Sequence, residues 1–155
     1  MCFVGIDPEN ITQPLWHRTK YLFGHAPEHR DEVVFDENEP DFERAYNPDR
    51  LNEMMRIGRE KGFFVTYNHP AWSLEDYRDY SMYKGMHAME VCNYSSFSSG
   101  MNEYNTHAYD EILREGERIY CIGADDNHDG HPIGTPKCDS FGAFTMIKAE
   151  KLDYE

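Results

Sequence analysis

Basic residues are scarce in this chain of 155: 15 Lys and Arg stand against 29 Asp and Glu, a formal charge of -14. A surface this acidic repels a phosphate backbone, which excludes nucleic-acid binding through a basic groove from the expected functions. An anionic small substrate would need a bound cation to draw it in. Long apolar runs are missing too. No stretch approaches the ~20 residues that cross a bilayer, and the N-terminus has no basic region followed by an apolar one. The expectation is a soluble, cytoplasmic protein that does not engage a membrane. Cysteines are few, and Cys2, Cys92, Cys121 and Cys138 form no C-x-x-C pair. Reduced, buried thiols are therefore expected rather than a disulfide or a zinc knot. Gly-x-Ser-x-Gly, G-x-x-x-x-G-K-[ST], G-x-G-x-x-G and His-Glu-x-x-His do not occur, so nucleophilic triads and phosphate loops are not expected.

What is present reads as one globular domain with a single core: 39% hydrophobic and 14% aromatic residues, without low-complexity tracts. Met1 to Ile6 is expected to be a strand. Residues 11–47 carry Pro14, Pro27, Pro40 and many charges, and form an irregular insertion with at most a short turn around Trp16 to Phe23. A β/α core should then occupy 48–155. Asn47 caps a helix with Pro48 in its first turn, Leu51, Met54 and Met55 form its apolar stripe, and Gly62 closes it. Phe63 to Tyr67 is a strand ending at Asn68-His69-Pro70. A helix capped by Ser73 runs to about Tyr83, with Asp76 as part of an imperfect capping box. Met86 to Cys92 is a strand followed by a Ser/Gly-rich loop, Ser95 to Gly100. A helix from about Glu103 to Glu115 ends at Gly116, Arg118 to Ala124 is a strand, and Phe141 to Lys148 is the last one. The alternation of near-continuously apolar strands with helices predicts the α/β class, with a parallel sheet or barrel.

In such folds the site lies at the carboxyl ends of the strands, and the chemically interesting residues obey that rule. His69, Asn93 and the pair Asp126 and His128 each fall just past a strand. Asp-x-His offers a carboxylate oxygen beside an imidazole nitrogen, a pairing suited to a divalent metal. Alternation points Asp126 and His128 the same way and Asn127 away, leaving Asp125 and Asp129 as supporting or solvent-facing groups. Glu90 lies inside a strand, where a carboxylate needs a partner or a nearby metal. Asn93 is placed to orient a water or a substrate oxygen. His131 is near enough to contribute or to continue the loop. His25 and His29 have metal-pair spacing but sit around Pro27 without a helical pattern, and are expected to be loop histidines. His17, His87 and His107 have no supporting context.

Tyr67-Asn68-His69-Pro70, Met89-Glu90-Val91-Cys92-Asn93, Ala124-Asp125-Asp126-Asn127-His128 and Phe144-Thr145-Met146-Ile147-Lys148-Ala149, in this order, resemble the PHP domain (polymerase and histidinol phosphatase), nearest its stand-alone metal-dependent phosphoesterases. The resemblance covers roughly Asn47 to Leu152. It implies a distorted β/α barrel of seven strands. It also implies two or three metal ions (zinc, manganese or iron) at the strand ends, hydrolysing phosphate esters. By residue-wise match His69 takes the place of the family's mid-chain metal histidine, and Asp126 and His128 that of its late Asp-x-His ligands. The chain departs from the family in lacking the opening His-x-His strand and the ligands after it. It has no histidine between Ser95 and Gly100, and it stops where a further helix would begin. The chain is accordingly expected to be a partial PHP-like domain over 1–155.

Two readings follow from the resemblance. One is a PHP-type hydrolase of small phosphorylated substrates using metal-activated water, with His69, Glu90, Asp126 and His128 as metal ligands and Asp126, His128 and Asn93 as catalytic residues. The other is a catalytically incomplete fragment that binds metal weakly, or acts only with a missing segment or a partner. With the first barrel strands missing, an exposed core edge is expected to promote homo-oligomer formation.

Overall fold

The computed structural model describes residues 1–128 and 130–151. The first strand, β1 (Cys2–Gly5), precedes a long irregular stretch whose one regular piece is a 3-10 helix at Ala26–Glu32. Helix α1 (Pro48–Glu60) then begins as its sequence requires: the Asn47 side chain accepts the Arg50 N–H, and Pro48 occupies the first turn, where no N–H is needed. Gly62 stops it in the left-handed conformation, φ 81°. Strand β2 (Phe63–Tyr67), the one-turn helix α2 (Tyr77–Tyr80), strand β3 (Ala88–Asn93), helices α3 (Tyr94–Ser98) and α4 (Thr106–Arg114), and strand β4 (Tyr120–Ala124) follow.

The strands form one open sheet in the order β1-β2-β3-β4. The β2-β3 and β3-β4 pairs are parallel, as expected, but β1 pairs antiparallel with β2, from Cys2 opposite Thr66 to Gly5 opposite Phe63. The class is thus mixed α/β with a mostly parallel four-stranded sheet. The β3-β4 register shifts between Glu90 and Cys92, so Val91 is an extra residue in β3. That bulge matters for the site, because residues three apart on a regular strand face opposite ways and one extra residue brings them to the same side.

Packing follows the apolar periodicity. Leu51 and Met55 of α1, Val65 and Tyr67 of β2, Met89 of β3, and Ala108 and Ile112 of α4 form one core cluster. Gly58 lets β1 approach α1, since a Cβ there would lie 2.3 Å from the Phe3 ring.

Four expectations need correction. Ser73 does not cap α2. Leu74 sits in the left-handed region, and the helix starts only at Asp76, in a reciprocal capping box with Asp79. The Ser95–Gly100 stretch is not a loop at its start: Asn93 accepts the Ser96 N–H and nucleates α3 in spite of the serines' weak helix propensity. Phe141 to Lys148 is not a strand. The N–H groups of Phe141, Gly142 and Ala143 all donate to the Asp125 carboxylate at 2.5–2.8 Å, and Phe141 turns to φ 63°. Those donors are then not offered to a sheet ladder, and only the Thr145 hydroxyl reaches the β4 backbone, at Gly123. Finally, the cysteines are free thiols, but Cys138 alone is buried; Cys2 and Cys121 are exposed and Cys92 is intermediate. Cys121 lies on the sheet's edge strand, where apolar sequence does not guarantee cover. No helix among the described residues is long and apolar enough to cross a membrane.

Candidate functional site

Parallel pairing of β2, β3 and β4 brings their carboxyl ends to one edge of the sheet. The chain leaves β2 and β4 through two non-glycine residues in the left-handed region, His69 at φ 35° and Asp126 at φ 51°. Such positions cost free energy and persist only where neighbours hold them. The neighbour here is a buried carboxylate at His69 and a buried amide at Asp126.

Glu90, 1% exposed, accepts the His69 N–H at 2.8 Å and the Asn93 side-chain amide at 3.1 Å. Burial pushes its pKa up, and the Asn93 and His69 donors only partly offset that. The Asn93 amide also donates to Asp126 at 3.0 Å, while its oxygen caps α3. A continuous chain of hydrogen bonds, His69–Glu90–Asn93–Asp126, therefore ties the ends of three strands together. The Val91 bulge puts Glu90 and Asn93 on the same side for this. Asn93 thus orients Asp126 and nucleates α3 with one side chain.

Glu103 was not foreseen as anything but the start of a helix. It is fully buried and accepts the N–H groups of Ala71 and Trp72, at 3.2 and 2.7 Å, together with the Asn105 amide. It pins the turn that carries His69. Nothing local in the sequence marks it, since the two backbone N–H groups it accepts lie more than thirty residues away in the chain.

His69, Asp126 and His128 line one cavity of about 260 Å³, with Trp72, Ser95 and Ser96 among the other walls. Each histidine has its Nδ1 beside a serine hydroxyl: His69 with Ser73 and His128 with Ser95, both at 3.2 Å. That leaves Nε2 of each ring as the nitrogen for a ligand. Asp139, a second unforeseen residue, is 6% exposed. It accepts the His128 N–H at 2.9 Å and lies 3.6 Å from His128 Nδ1. The His128 backbone N–H holds its carboxyl below the usual range. Its other oxygen, Oδ1, is buried without a hydrogen-bond partner, an arrangement that costs free energy unless a proton or cation is near. Asp125 is occupied structurally: burial raises its pKa, but the three N–H groups from 141–143 outweigh this and hold it low.

The remaining histidines stay away from this cavity. His17 is buried against Glu43 and takes the Thr19 and Lys20 N–H groups on Nδ1. His25 and His29 pair with Glu28 and Glu32 on the 3-10 helix, and His107 with Glu111 on α4. His87 accepts the Val65 N–H and stacks on Phe64. His131 is exposed and does not wall the cavity; Asp129 lies outside the described residues.

The donor set of one carboxylate and two imidazoles suits a divalent cation that takes nitrogen and oxygen ligands, and no Lys or Arg lines the cavity to compete with it. The Asp139 carboxylate beside His128 adds negative character to the same edge. Among the described residues, no three His, Cys, Asp or Glu side chains are already gathered at metal-binding spacing. Comparison with protein-family models, curated proteins and solved structures finds no match to this chain.

Proposed function

We propose that this chain is a PHP-type, metal-dependent hydrolase acting as a phosphoesterase on a small phosphorylated substrate. The observation that carries the reading is the shared cavity of His69, Asp126 and His128 at the carboxyl edge of a mostly parallel sheet. The order of motifs resembling the PHP domain supports it. His69, Asp126 and His128 would hold zinc, manganese or iron, with Glu90 the reserve carboxylate behind them. Held there, such ions would supply Lewis acidity toward water and a phosphoryl oxygen.

The chain's own residues have definable tasks. Asp126 brings the negative charge that anchors cations, and Asn93 fixes its orientation. Ser73 and Ser95 set the imidazole rings of His69 and His128. Trp72 packs its ring edge-on to His69, centroids 5.2 Å apart, and limits the ring's freedom. Because the cavity wall has no cationic side chain, the substrate phosphate depends on the metals for its counter-charge. The finer fold that goes with this reading is a distorted seven-stranded β/α barrel with the present sheet as one arc, and the compartment is the cytoplasm.

The test is hydrolysis of p-nitrophenyl phosphate by the metal-stripped protein, with and without added Mn²⁺ or Zn²⁺. Activity should return on metal addition, and Asp126→Ala should lower it at least about 100-fold, in the range seen when a key charge-stabilising group is lost. Undiminished turnover in that variant rejects the proposal.

A second reading draws on the donor count: three ligands suit one ion with an open position, and are too few for the two or three ions that the resemblance implies. On that reading the chain is a catalytically incomplete PHP-fold piece, finished by further protein or a second copy. The apolar side chains beside edge strand β4, Phe144, Met146 and Ile147, are 74–83% exposed and offer a place for association. Activity appearing only above a threshold protein concentration, together with a dimer in sedimentation, favours this reading over the first.

A further inference from the structure

Two histidines wall the cavity, and the backbone of each is clamped by a buried carboxylate. Glu90 accepts the His69 N–H at 2.8 Å, and Asp139 accepts the His128 N–H at 2.9 Å. The rings are held differently. His69 has the Trp72 indole edge-on, 5.2 Å between centroids, besides the Ser73 hydroxyl. The His128 side chain is 66% exposed, and both of its polar neighbours stand at Nδ1: Ser95 Oγ at 3.2 Å and Asp139 Oδ2 at 3.6 Å.

Asp139 is firmly placed and poorly satisfied. The Cys138 N–H donates to the Thr135 carbonyl at 3.0 Å, and the Asn127 amide donates to the Ser140 hydroxyl. Residues 139 and 140 thus lie against 128 and 127, pair by pair. Glu90 and Glu103, likewise buried, each take two or more donors. Asp139 is 6% exposed, yet its Oδ1 has no donor at all. A buried carboxylate oxygen left so is costly. The group beside it that can take up positive character is the His128 imidazole.

The two neighbours of Nδ1 also differ in what they offer. A hydroxyl donates or accepts, whereas a carboxylate only accepts. With Nε2 engaged by a cation, Nδ1 carries the proton, and a charged acceptor makes the stronger bond to it. At 3.6 Å Oδ2 stands just beyond hydrogen-bonding distance, and the exposed ring has room to turn toward it.

We infer that Asp139 is the positioning residue of the cation site. When His128 Nε2 takes a divalent cation, the Nδ1–H hydrogen bond passes from the Ser95 hydroxyl to Asp139 Oδ2. The carboxylate then fixes the ring and strengthens Nε2 as a donor to the cation. The unpartnered negative charge on Asp139 faces a cation-loaded imidazole, which offsets its burial. This inference rests on the metal-dependent reading and adds to it a residue that does not wall the cavity.

Calorimetric titration of the metal-free whole chain with Zn²⁺ tests it. Asp139→Asn keeps an oxygen for the His128 N–H and removes the charge. It should weaken zinc binding about 10–100-fold and leave the melting temperature of the metal-free protein unchanged. Ser95→Ala should weaken binding less. At saturation, Co²⁺ should give the same visible absorption in the parent and in Asp139→Asn, because the ligands themselves are unchanged. In the zinc-loaded parent with ¹⁵N-labelled histidine, the His128 Nδ1–H resonance should be protected from exchange and should persist in Ser95→Ala. That signal reads the partner directly, even where the Asn variant folds poorly. Parent-like zinc affinity in Asp139→Asn, a changed cobalt spectrum, or loss of the resonance in Ser95→Ala overturns the inference even if metal-dependent hydrolysis is intact. A chain that takes up neither Zn²⁺ nor Co²⁺ overturns the metal reading and this inference together. The expected losses in a protein that hydrolyses no phosphate ester uphold the role of Asp139 and fail only the catalytic reading.

Discussion

The β/α core over 48–124 and the irregular stretch over 11–47 are held together by different forces. In the core, Met55, Val65 and Met89 are fully buried and Ile112 nearly so, and burial of apolar surface dominates. In the irregular stretch charge and ring faces dominate. Among the described residues, all four cation–π contacts involve it: Arg18 over Phe35, Arg30 over Trp16, Arg44 over Tyr21, and Arg50 of α1 over Phe42. Glu43 gathers Lys20, Tyr21 and His17 around one carboxylate, and Asp41 pairs with Arg18. A chain rich in acid and prolines can thus build an ordered surface layer without a second core, by spending its few basic residues on aromatic faces. The two regions should respond to different perturbations.

The largest expected effect is in the core. Met55→Ala leaves a cavity in the centre of the cluster and should lower unfolding free energy by about 2–5 kcal/mol, read by urea denaturation. A loss below about 1 kcal/mol would mean that the core is not the principal source of stability. Next comes the polar exception within the core. Glu103→Ala strips the acceptor from the Ala71 and Trp72 N–H groups and should cost about 1–3 kcal/mol through buried donors left unpaired. Because that turn carries His69, metal affinity by titration should fall as well. Unchanged affinity would separate the turn from the site.

Smaller effects belong to the irregular stretch. Raising salt from 0.05 to 1 M shortens the screening length from roughly 14 to 3 Å. Limited proteolysis within 11–47 should then quicken by a factor of about 2–5, the scale of exposed ion pairs, while cleavage in the core stays constant. Equal sensitivity of both regions would erase the contrast. The smallest effect is the acid response of Glu43. Hydrogen bonds from Lys20, Tyr21 and His17 hold its pKa down, from 4.5 to about 2. A depressed carboxylate contributes stability above its unfolded value, and loses it as pH falls through the folded one. The stretch should therefore keep its protease resistance at pH 4.5 and lose it toward pH 2. In Glu43→Gln this step should be missing from the profile.

The parts of this molecule that depend on near neighbours were legible in its residues. Asn47-Pro48 and Gly62 bound α1 because caps and left-handed stops act within a few positions. The β2, β3 and β4 strands follow their apolar runs to within two residues at each end, and parallel crossovers put His69, Asn93 and Asp126 at one edge. Tertiary contacts decided the rest. The direction of β1 is set by its pairing with β2 across some sixty residues, and the Phe141–Lys148 stretch is kept from the sheet by one distant carboxylate, Asp125. Glu103 and Asp139 acquire meaning only when burial strips them of water and leaves backbone N–H groups from far along the chain as their partners. Periodicity and capping are short-range and leave a signature in the sequence. A buried charge is defined by what surrounds it, and that exists only once the chain has folded.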